Sequence, residues 1–393
     1  MRQKGARFCL PAVLLLMMVL ALPARAEYRT IGQGDRGQDV VALKKRLYEL
    51  GYFTTASFGD SYTKNTAEKV RRFLSKYGLD GDEATPAMQE LLYADDARPE
   101  SYVADSGPAV VGPDVTVDLP ELDADGTLRD KAAAPFVYKN EEAGLWYHIS
   151  GTLSVEIRRF DNRVDNMIWL ETRVRLSGGN RIRSIFSDDK KSGRRFDLPL
   201  NITKKHGAVL AFSDDFFGWR RDAKDVEGIV IREGNVYSDR TRGDRKFPPL
   251  DVMAAMPDGT LRTFLSDEKT AEEYLDMGVL NTWAFGPVLI SNGELKGDLA
   301  YDANDPRQPR QAMGMLGAND YIFLTVLGRR KDSDGASIPW LAAKLRQLGA
   351  VEAINLDGGN SAMMVFDGEM LNKVKNIKTG SIRKMVSMIA FFD

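Results

Sequence analysis

Apolar residues between positions 40 and 92 recur every three or four residues, the spacing that places them on one face of an α-helix. Gly51 ends the first run and Thr85-Pro86 begins the third, as helix stop and start signals do. The apolar positions of the three runs are Val40, Leu43, Leu47 and Leu50, then Ala67, Val70, Phe73 and Leu74, and finally Met88, Leu91 and Leu92. The pattern predicts a compact unit of three helices.

From Tyr138 onward the pattern changes to the alternation of a half-buried β-strand. Segments 149–160 and 167–176 alternate clearly, and a helix is predicted over 338–348, where Gly349 stops it. Further strands are predicted at 208–212, 228–232, 284–290, 321–327 and 385–392. Many strands with few helices predict an α+β protein, in which a small helical bundle precedes a larger β-rich domain built on a mixed sheet.

Residues 94–135 show neither period and are rich in Asp, Pro, Ala and Ser, which predicts an acidic, exposed, flexible linker. Within it, Glu121, Asp123, Asp125 and Gly126 briefly resemble a calcium loop. Ala132 stands where an EF-hand needs its bidentate glutamate, which excludes that motif. The predicted organisation is therefore 31–93 for the bundle, 94–135 for the linker and 136–393 for the large domain.

The first residues have the layout of a secretory signal peptide, predicted over 1–26. Arg2, Lys4 and Arg7 precede an apolar run at 10–22, which is short for a membrane span, and 24–26 reads Ala-Arg-Ala. An uncleaved N-terminal anchor is the alternative. Cleavage would remove Cys9, the one cysteine, so the mature chain would contain no disulfide and no thiol nucleophile. We therefore expect a secreted or cell-envelope protein with no membrane span after signal cleavage.

Charge and metal-ligand content narrow the function classes. The 54 basic and 56 acidic side chains give a formal net charge of −2, so nothing indicates a nucleic-acid partner. The chain's 2 histidines and its single cysteine cannot form a zinc ligand set after signal cleavage. No cofactor is expected, and a divalent cation at the acidic residues discussed below is left open.

The predicted bundle resembles the peptidoglycan-binding domain family over residues 31–93. The resemblance rests on G-D-x-G-x-D-V-x-x-L from Gly34, L-x-x-L-G-Y/F at 47–53, a T-x-x-A-V-x-x-F-like phrase at 66–73 and a closing G-L-D-G. Lys44 and Leu74 replace the usual glutamines, and the loop near Phe58-Gly59 is poorly kept. The resemblance implies binding to peptidoglycan or another cell-wall polysaccharide. The alternative is a spacer bundle without sugar affinity.

The stretch 353–365, AINLDGGNSAMMV, is the strongest candidate site. A strand-like run ends at Asp357, and Gly358-Gly359 lets the backbone pass close to a ligand. This arrangement places Asp357, Asn360 and Ser361 together at the rim of a sheet, where loops on a rigid scaffold carry function. The alternative is a hairpin turn, because Asp-Gly between apolar runs is also a hairpin signal.

Residues 205–393 resemble the phosphodiester glycosidase family. Five phrases follow the family's order: A-F-S-D-D-F-F-G at 211–218, W-A-F-G-P-V-L-I-S-N-G at 283–293, P-R-Q-A-M-G at 309–314, L-G-A-V-E-A-I-N-L-D-G-G-N-S at 348–361, and N-K-V at 372 with Arg383 before the last strand. The resemblance implies a hydrolase that cleaves a sugar–phosphate bond in a small sugar-phosphate substrate or a polymer. A phosphate ester leaves as a weakly basic anion, so the reaction needs a carboxylate and a cationic clamp more than a strong general acid.

The sequence contains candidates for both the carboxylate and the cationic clamp. Glycosidases normally pair two carboxylates, and the catalytic candidates are Asp357, Asp215 and Asp214, the same groups that would hold a cation. Arginine forks suit phosphate better than lysines do. The predicted substrate and phosphate ligands are Arg310 first, then Arg329 and Arg383, with Asn355, Gly358, Gly359, Asn360 and Ser361. The alternatives are a structural cap for the Asp-Asp pair and an ordinary surface ion pair for Arg310.

Three departures from the family pattern bear on activity. Asn360 replaces the loop's third glycine, Ser213 replaces an asparagine, and Leu327 replaces a carboxylate. They leave open a second function class, a non-catalytic polysaccharide-binding protein that assists exopolysaccharide export or assembly. An ordinary O-glycoside hydrolase is a third hypothesis. The sequence does not specify the sugar, the polymer, the stereochemical outcome or the oligomeric state.

Overall fold

The computed structural model describes residues 28–103, 115–163, 165–187, 196–215, 228–240, 250–296, 299, 307–372 and 380–393. The predicted signal peptide lies outside these residues. Across the described part, no helix has both the length and the apolar character needed to cross a membrane. The helices are α1 (Gln38–Glu49), α2 (Lys64–Ser75), α3 (Pro86–Tyr93), α4 (Pro199–His206), α5 (Ala271–Asp276) and α6 (Ile338–Gln347).

The three-helix unit is confirmed, and its ends follow from local chemistry. Thr63 caps α2 in a capping box with Thr66, and Thr85 caps α3 ahead of Pro86 at the first helical position. The predicted apolar faces meet in one core, in which Leu43, Val70 and Phe73 are fully buried among others. Helical period and capping therefore suffice to specify this unit.

The strands occupy most of the remaining chain. In order they are β1 (Phe136–Asn140), β2 (Leu145–Ile149), β3 (Leu153–Asn162), β4 (Met167–Leu176), β5 (Arg183–Phe186), β6 (Leu210–Ser213), β7 (Gly228–Arg232), β8 (Asn235–Arg240), β9 (Asp251–Ala255), β10 (Leu261–Phe264), β11 (Asn281–Phe285), β12 (Val288–Ser291), β13 (Glu294–Leu295), β14 (Arg310–Gly317), β15 (Asp320–Val326), β16 (Glu352–Leu356), β17 (Met364–Phe366), β18 (Glu369–Met370) and β19 (Ser387–Phe391). The predicted strand 284–290 is two strands, interrupted at Gly286-Pro287, because proline has no N–H for a ladder.

The strands form three sheets. A nine-stranded sheet has the order β1-β2-β3-β4-β15-β14-β16-β12-β13, and two five-stranded sheets have the orders β10-β9-β11-β7-β8 and β18-β17-β6-β19-β5. The α+β class is confirmed. Pairings between the described strands are antiparallel, for example β14 with β16 and β6 with β17, rather than the mixed sheet expected.

The nine-stranded sheet is covered on both faces. Helix α6 packs on one face, where Trp340 meets Trp169 edge to face. On the other face, side chains from all three sheets share one core that includes Trp283, Phe323 and Phe212. The rings of Phe212 and Phe323 stack with centroids 4.0 Å apart and join the third sheet to the first. This packing fixes the relative position of strands that carry the candidate site.

The described part of the predicted linker is not uniformly exposed. Leu128 is buried against Tyr147 and Ile149, and its N–H donates to the Ser150 carbonyl at 2.8 Å. Asp125 accepts from the Thr127 N–H at 2.9 Å and closes a turn rather than a calcium loop. The expectation of an exposed linker is wrong for these residues, because a few apolar positions among many polar ones suffice to anchor a segment to a sheet edge.

The bundle is joined to the large domain by buried charges. Lys76, which follows α2, lies 3.2 Å from Asp165, and Arg307 lies 3.4 Å from the same carboxylate. Burial alone would raise the pKa of Asp165. Lys76 and Arg307 together lower it by more than burial raises it, so the pKa of Asp165 is below its usual value. Asp165 is therefore an ionised carboxylate shared by both parts of the chain.

We expect Phe323→Ala to lower the free energy of unfolding by about 3–5 kcal/mol, because it removes a ring from the core common to the three sheets. Urea denaturation followed by tryptophan fluorescence measures the change. Val137→Ala is the matched control, since Val137 is 45 % exposed on β1 and should change stability by less than about 0.5 kcal/mol. Equal effects in the two variants would contradict a shared core at Phe323.

Candidate active site

The loop after β16 connects two sheets. Strand β16 ends at Leu356 in the nine-stranded sheet, a single 3-10 turn covers Gly359–Ser361, and β17 then enters the third sheet beside β6. Because β16 and β17 lie in different sheets, the hairpin alternative for Asp357-Gly358 is wrong. The loop is a sheet-to-sheet junction, and Asp357 lies at its entrance.

The end of β6 holds the start of this loop. The Asp357 N–H donates to the Asp214 carbonyl at 3.2 Å, and the Ser213 hydroxyl donates to the Asp357 carbonyl at 3.3 Å. Ser213, which replaces the family's asparagine, thus still bonds the loop backbone. Asp214 and Asp357, predicted to act together, are neighbours through these backbone contacts.

The Asp214-Asp215 pair is tied to a buried arginine that the sequence reasoning missed. Arg232, the last residue of β7, is fully buried, and its Nη2 approaches both carboxylates, lying 3.5 Å from Asp214. Asp215 also accepts the Ala284 N–H at 3.0 Å. The sequence did contain a signal for this pairing, because Arg232 stands at the end of the apolar run 228–232. An arginine in a buried strand requires a buried partner of opposite charge. Asp215 is thus engaged within the protein, which favours the structural alternative for this residue.

Arg310 lies directly beside the glycines of the loop. The Gly359 N–H donates to the Pro309 carbonyl at 2.7 Å, and a Cβ on Gly358 would lie 2.7 Å from the same oxygen. Arg310 begins β14, is 8 % exposed, and donates from Nε to the Ala336 carbonyl at 3.2 Å. It is therefore a buried, oriented arginine and not the surface ion pair considered as an alternative.

Two more arginines contact the same loop. A Cβ on Gly359 would lie 3.5 Å from both terminal nitrogens of Arg329, whose Nε donates to the Gln308 side chain at 2.7 Å. Arg383 donates from Nη1 to the Ser361 hydroxyl at 2.6 Å. The three predicted arginines therefore meet the loop at successive positions, around residues 358, 359 and 361.

The remaining predicted ligands differ in accessibility. Asn360 is half-buried in the 3-10 turn. Asn355 is buried in β16 and donates to the Gly286 carbonyl at 2.9 Å, and its Oδ1 has no hydrogen-bond partner among the described residues. Leu327, which replaces the family's carboxylate, packs into the shared apolar core. Asn355 thus supports the strand that carries Asp357, and its predicted substrate contact stays a prediction.

The described residues contain no group of three or more histidine, cysteine, aspartate or glutamate side chains arranged to hold a metal ion. A cleft of about 840 Å³ lies at the opposite end of β16, lined by Glu352, Arg262 and Lys296 among others, and includes none of the predicted site residues. A substrate site shared by Asp357 and Arg310 stays a prediction.

The site thus belongs to an α+β protein with an arginine-lined glycine loop at a sheet junction. Residues 206–392 match the phosphodiester glycosidase family, and residues 36–82 match a peptidoglycan-binding domain. Both resemblances predicted from the sequence are thus confirmed as family matches of these two segments.

Relatives of this chain are distant. The SPbeta prophage-derived uncharacterized protein YomE of Bacillus subtilis is 26% identical over 192 residues, which is 48% of this chain and 29% of that protein. The match therefore spans less than a third of that relative's length.

Two solved structures are similar at low scores. The zebrafish N-acetylglucosamine-1-phosphodiester alpha-N-acetylglucosaminidase catalytic domain, auto-inhibited by its pro-peptide, has a TM-score of 0.49 and 17% identity, covering 62% of this chain and 84% of that one. A hypothetical protein from Synechocystis has a TM-score of 0.44 and 16% identity, covering 66% and 64%. At these scores neither likeness defines the fold of this chain.

We expect Arg232→Met to lower the free energy of unfolding by about 3–5 kcal/mol, because it leaves the buried Asp214 and Asp215 without their shared cation. Arg181→Met is the control, since Arg181 pairs with Glu233 at the surface and should cost under about 1 kcal/mol. Chemical denaturation of both variants tests the difference. Native stability in Arg232→Met would rule out a buried ion pair at this position.

Gly358→Ala should destabilise the protein by about 1–3 kcal/mol, because the added Cβ would collide with the Pro309 carbonyl. The backbone of Gly358 has φ −103°, so the effect reports crowding and not a glycine-only conformation. Gly317→Ala is the control, because nothing lies within 4 Å of a Cβ there. The prediction fails if the two variants denature at the same urea concentration.

Proposed function

We propose that this protein is an exported cell-envelope hydrolase that cleaves a glycosyl phosphodiester in a cell-wall or extracellular polysaccharide. One observation carries the proposal: the backbone of Arg310 and the side chains of Arg329 and Arg383 lie against a single glycine loop that begins with a carboxylate. Guanidinium groups bind phosphate oxygens in a fixed fork, so this arrangement suits an anionic sugar ester. The phosphodiester glycosidase domain supports the same reaction class.

In the proposed reaction, the bond between the anomeric carbon and the bridging oxygen breaks, and that oxygen leaves with the phosphate. Asp357 either accepts a proton from the attacking water, whose oxygen bonds to the anomeric carbon, or first attacks that carbon itself. The arginines balance the charge that develops on the phosphate. The loop backbone near Gly358 is suited to orient sugar hydroxyls or an oxyanion.

The geometry favours Asp357 as the reacting carboxylate over the other two candidates. Asp215 is bonded to Arg232 and to the Ala284 N–H, and Asp214 is 1 % exposed beside the same arginine. We assign these two carboxylates a supporting role, since the Asp214 carbonyl also receives the Asp357 N–H. A departing phosphate needs little protonation, so one reacting carboxylate is compatible with the reaction.

The bundle would keep the hydrolase on its polymer. A peptidoglycan-binding domain concentrates an attached domain near the wall without any new contact at the active site. Lys44, which replaces the family's glutamine, donates to the carbonyls of Gly59 and Ser61 at 2.9 and 2.6 Å and so holds the loop whose sequence departs from the pattern. That bond supports an ordered, ligand-competent loop rather than a mere spacer.

We expect Asp357→Asn and Arg310→Ala each to lower kcat/KM on a sugar-1-phosphate diester by about 10²–10³-fold while the protein stays folded. A panel of such diesters, assayed with and without a chelator, measures activity and metal dependence. Arg330→Ala is the control, because Arg330 forms an exposed ion pair with Asp332. Full activity in both site variants would remove this site assignment, and equal rates on neutral aryl glycosides would indicate an ordinary glycosidase.

A specific observation favours the second candidate, a non-catalytic polysaccharide-binding protein that assists exopolysaccharide export or assembly. Leu327 is apolar and buried where the family carries a carboxylate. Retention of the protein on purified peptidoglycan or exopolysaccharide, without release of sugar or phosphate from any diester, would support this function over the hydrolase.

A further inference from the structure

The boundary between the bundle and the large domain contains a buried ionic cluster. Lys76 and Arg307 both bond Asp165, and the side chains of the three residues are only 3–7 % exposed. Arg307 also donates from Nη2 to the Asp165 backbone carbonyl at 2.9 Å. A charge this deeply buried is tolerated only when it is partnered, so the cluster holds the two parts in one arrangement.

A second buried contact joins the same parts. Glu100 follows the bundle, and its N–H donates to the Leu50 carbonyl at 2.8 Å. Its carboxylate accepts from the hydroxyl of Ser337, the residue that caps α6. The bundle is thus bonded both to the segment around Arg307 and to the start of α6.

Both contacts lead directly to the candidate active site. Gln308 and Ala336 exchange backbone hydrogen bonds of 3.2 and 3.0 Å, so segments 307–310 and 335–337 run side by side. They are packed so closely that a Cβ on Gly335 would lie 2.3 Å from the Gln308 backbone. Arg310 donates to the Ala336 carbonyl, and Pro309 accepts from the glycine loop. Only two residues, Gln308 and Pro309, separate Arg307 at the boundary from Arg310 at the site.

We propose, resting on the proposed function, that the N-terminal bundle is a positioning element of the active site. In this arrangement Lys76 and Asp165 fix Arg307, which fixes the strand that presents Arg310 to the substrate phosphate. The bundle then both holds the polymer and keeps the phosphate clamp in its working geometry. Lys76, Asp165 and Arg307 are positioning residues, which act on the site through the chain segment 307–310.

The chemistry of the boundary supports positioning over simple adhesion. Apolar side chains of similar size would dock two domains at least as strongly as a buried ion pair, which contributes little net stability. A charge cluster instead selects one arrangement of its partners. Displacing a catalytic or binding group by about 1 Å lowers the rate on the order of 10²-fold. The position of Arg307 therefore matters for activity, because it sets the position of Arg310.

The test is made in the full chain with Lys76→Met, which removes the bundle's bond to Asp165 and leaves Arg307 bonded to that carboxylate. Lys76→Arg is the conservative rescue. Arg71→Met is the matched control, because Arg71 lies on α2, which ends directly before Lys76, and pairs with Asp82 at the surface. Two readouts are needed: KM and kcat on a sugar-1-phosphate diester, and the rise in melting temperature produced by inorganic phosphate, which reports anion binding without turnover.

We expect Lys76→Met to raise KM about tenfold with a smaller change in kcat, and to reduce the stabilisation by phosphate. Lys76→Arg and Arg71→Met should behave like the native chain. In an Arg310→Ala background, Lys76→Met should have no additional effect on phosphate binding, because both changes act on one contact. A merely destabilising substitution would instead lower the melting temperature and add to Arg310→Ala.

Three results would overturn the proposal: native KM and phosphate stabilisation in Lys76→Met, additive effects with Arg310→Ala, or a native chain that phosphate does not stabilise. The hydrolase proposal fails separately. The native chain could cleave none of the diesters and still be stabilised by phosphate through Arg310. In that case the hydrolase proposal fails, and the rise in melting temperature with phosphate still tests whether the bundle positions Arg310.

Discussion

The contact on which the site depends is the one between the Gly359 N–H and the Pro309 carbonyl. At this point the chain leaves the nine-stranded sheet and enters the third sheet, and it passes so close to the start of β14 that position 358 has no room for a side chain. Glycine is needed there for space, and at Gly359 also for a φ of 57°. This close approach brings a carboxylate and the Arg310 backbone together although they are distant in sequence.

Charge pairing then decides what each group near the loop is able to do. Arg232 satisfies Asp214 and Asp215 inside the protein, at a place where unpaired carboxylates would be strongly unfavourable. Arg310, Arg329 and Arg383 instead donate hydrogen bonds to carbonyl, amide and hydroxyl oxygens, which orient each guanidinium. Asp214 and Asp215 are thus paired with an arginine inside the protein, whereas the other three arginines lie around the loop.

Local signals predicted much of this structure. Helical period located α1 to α3 and α6, and alternation located β4 within its observed bounds. The Asp-Gly-Gly stretch and the three arginines were also found from sequence, because turn chemistry and residue type are local properties. Arg232 was missed, the linker was expected to be exposed, and the antiparallel pairing was not foreseen. Each of these depends on a partner far along the chain, such as Asp215 for Arg232 or Ser150 for Leu128, which no local pattern encodes.

Two residues that depart from the family pattern, Ser213 and Leu327, can be explained by their positions relative to the loop. Ser213 retains a bond to the loop backbone, so the lost asparagine leaves the junction intact. Leu327 lies two residues before Arg329 and packs into the core, which removes an acidic group from the segment that carries one of the loop arginines. With one carboxylate fewer and the arginines retained, the surroundings of the loop shift toward positive charge.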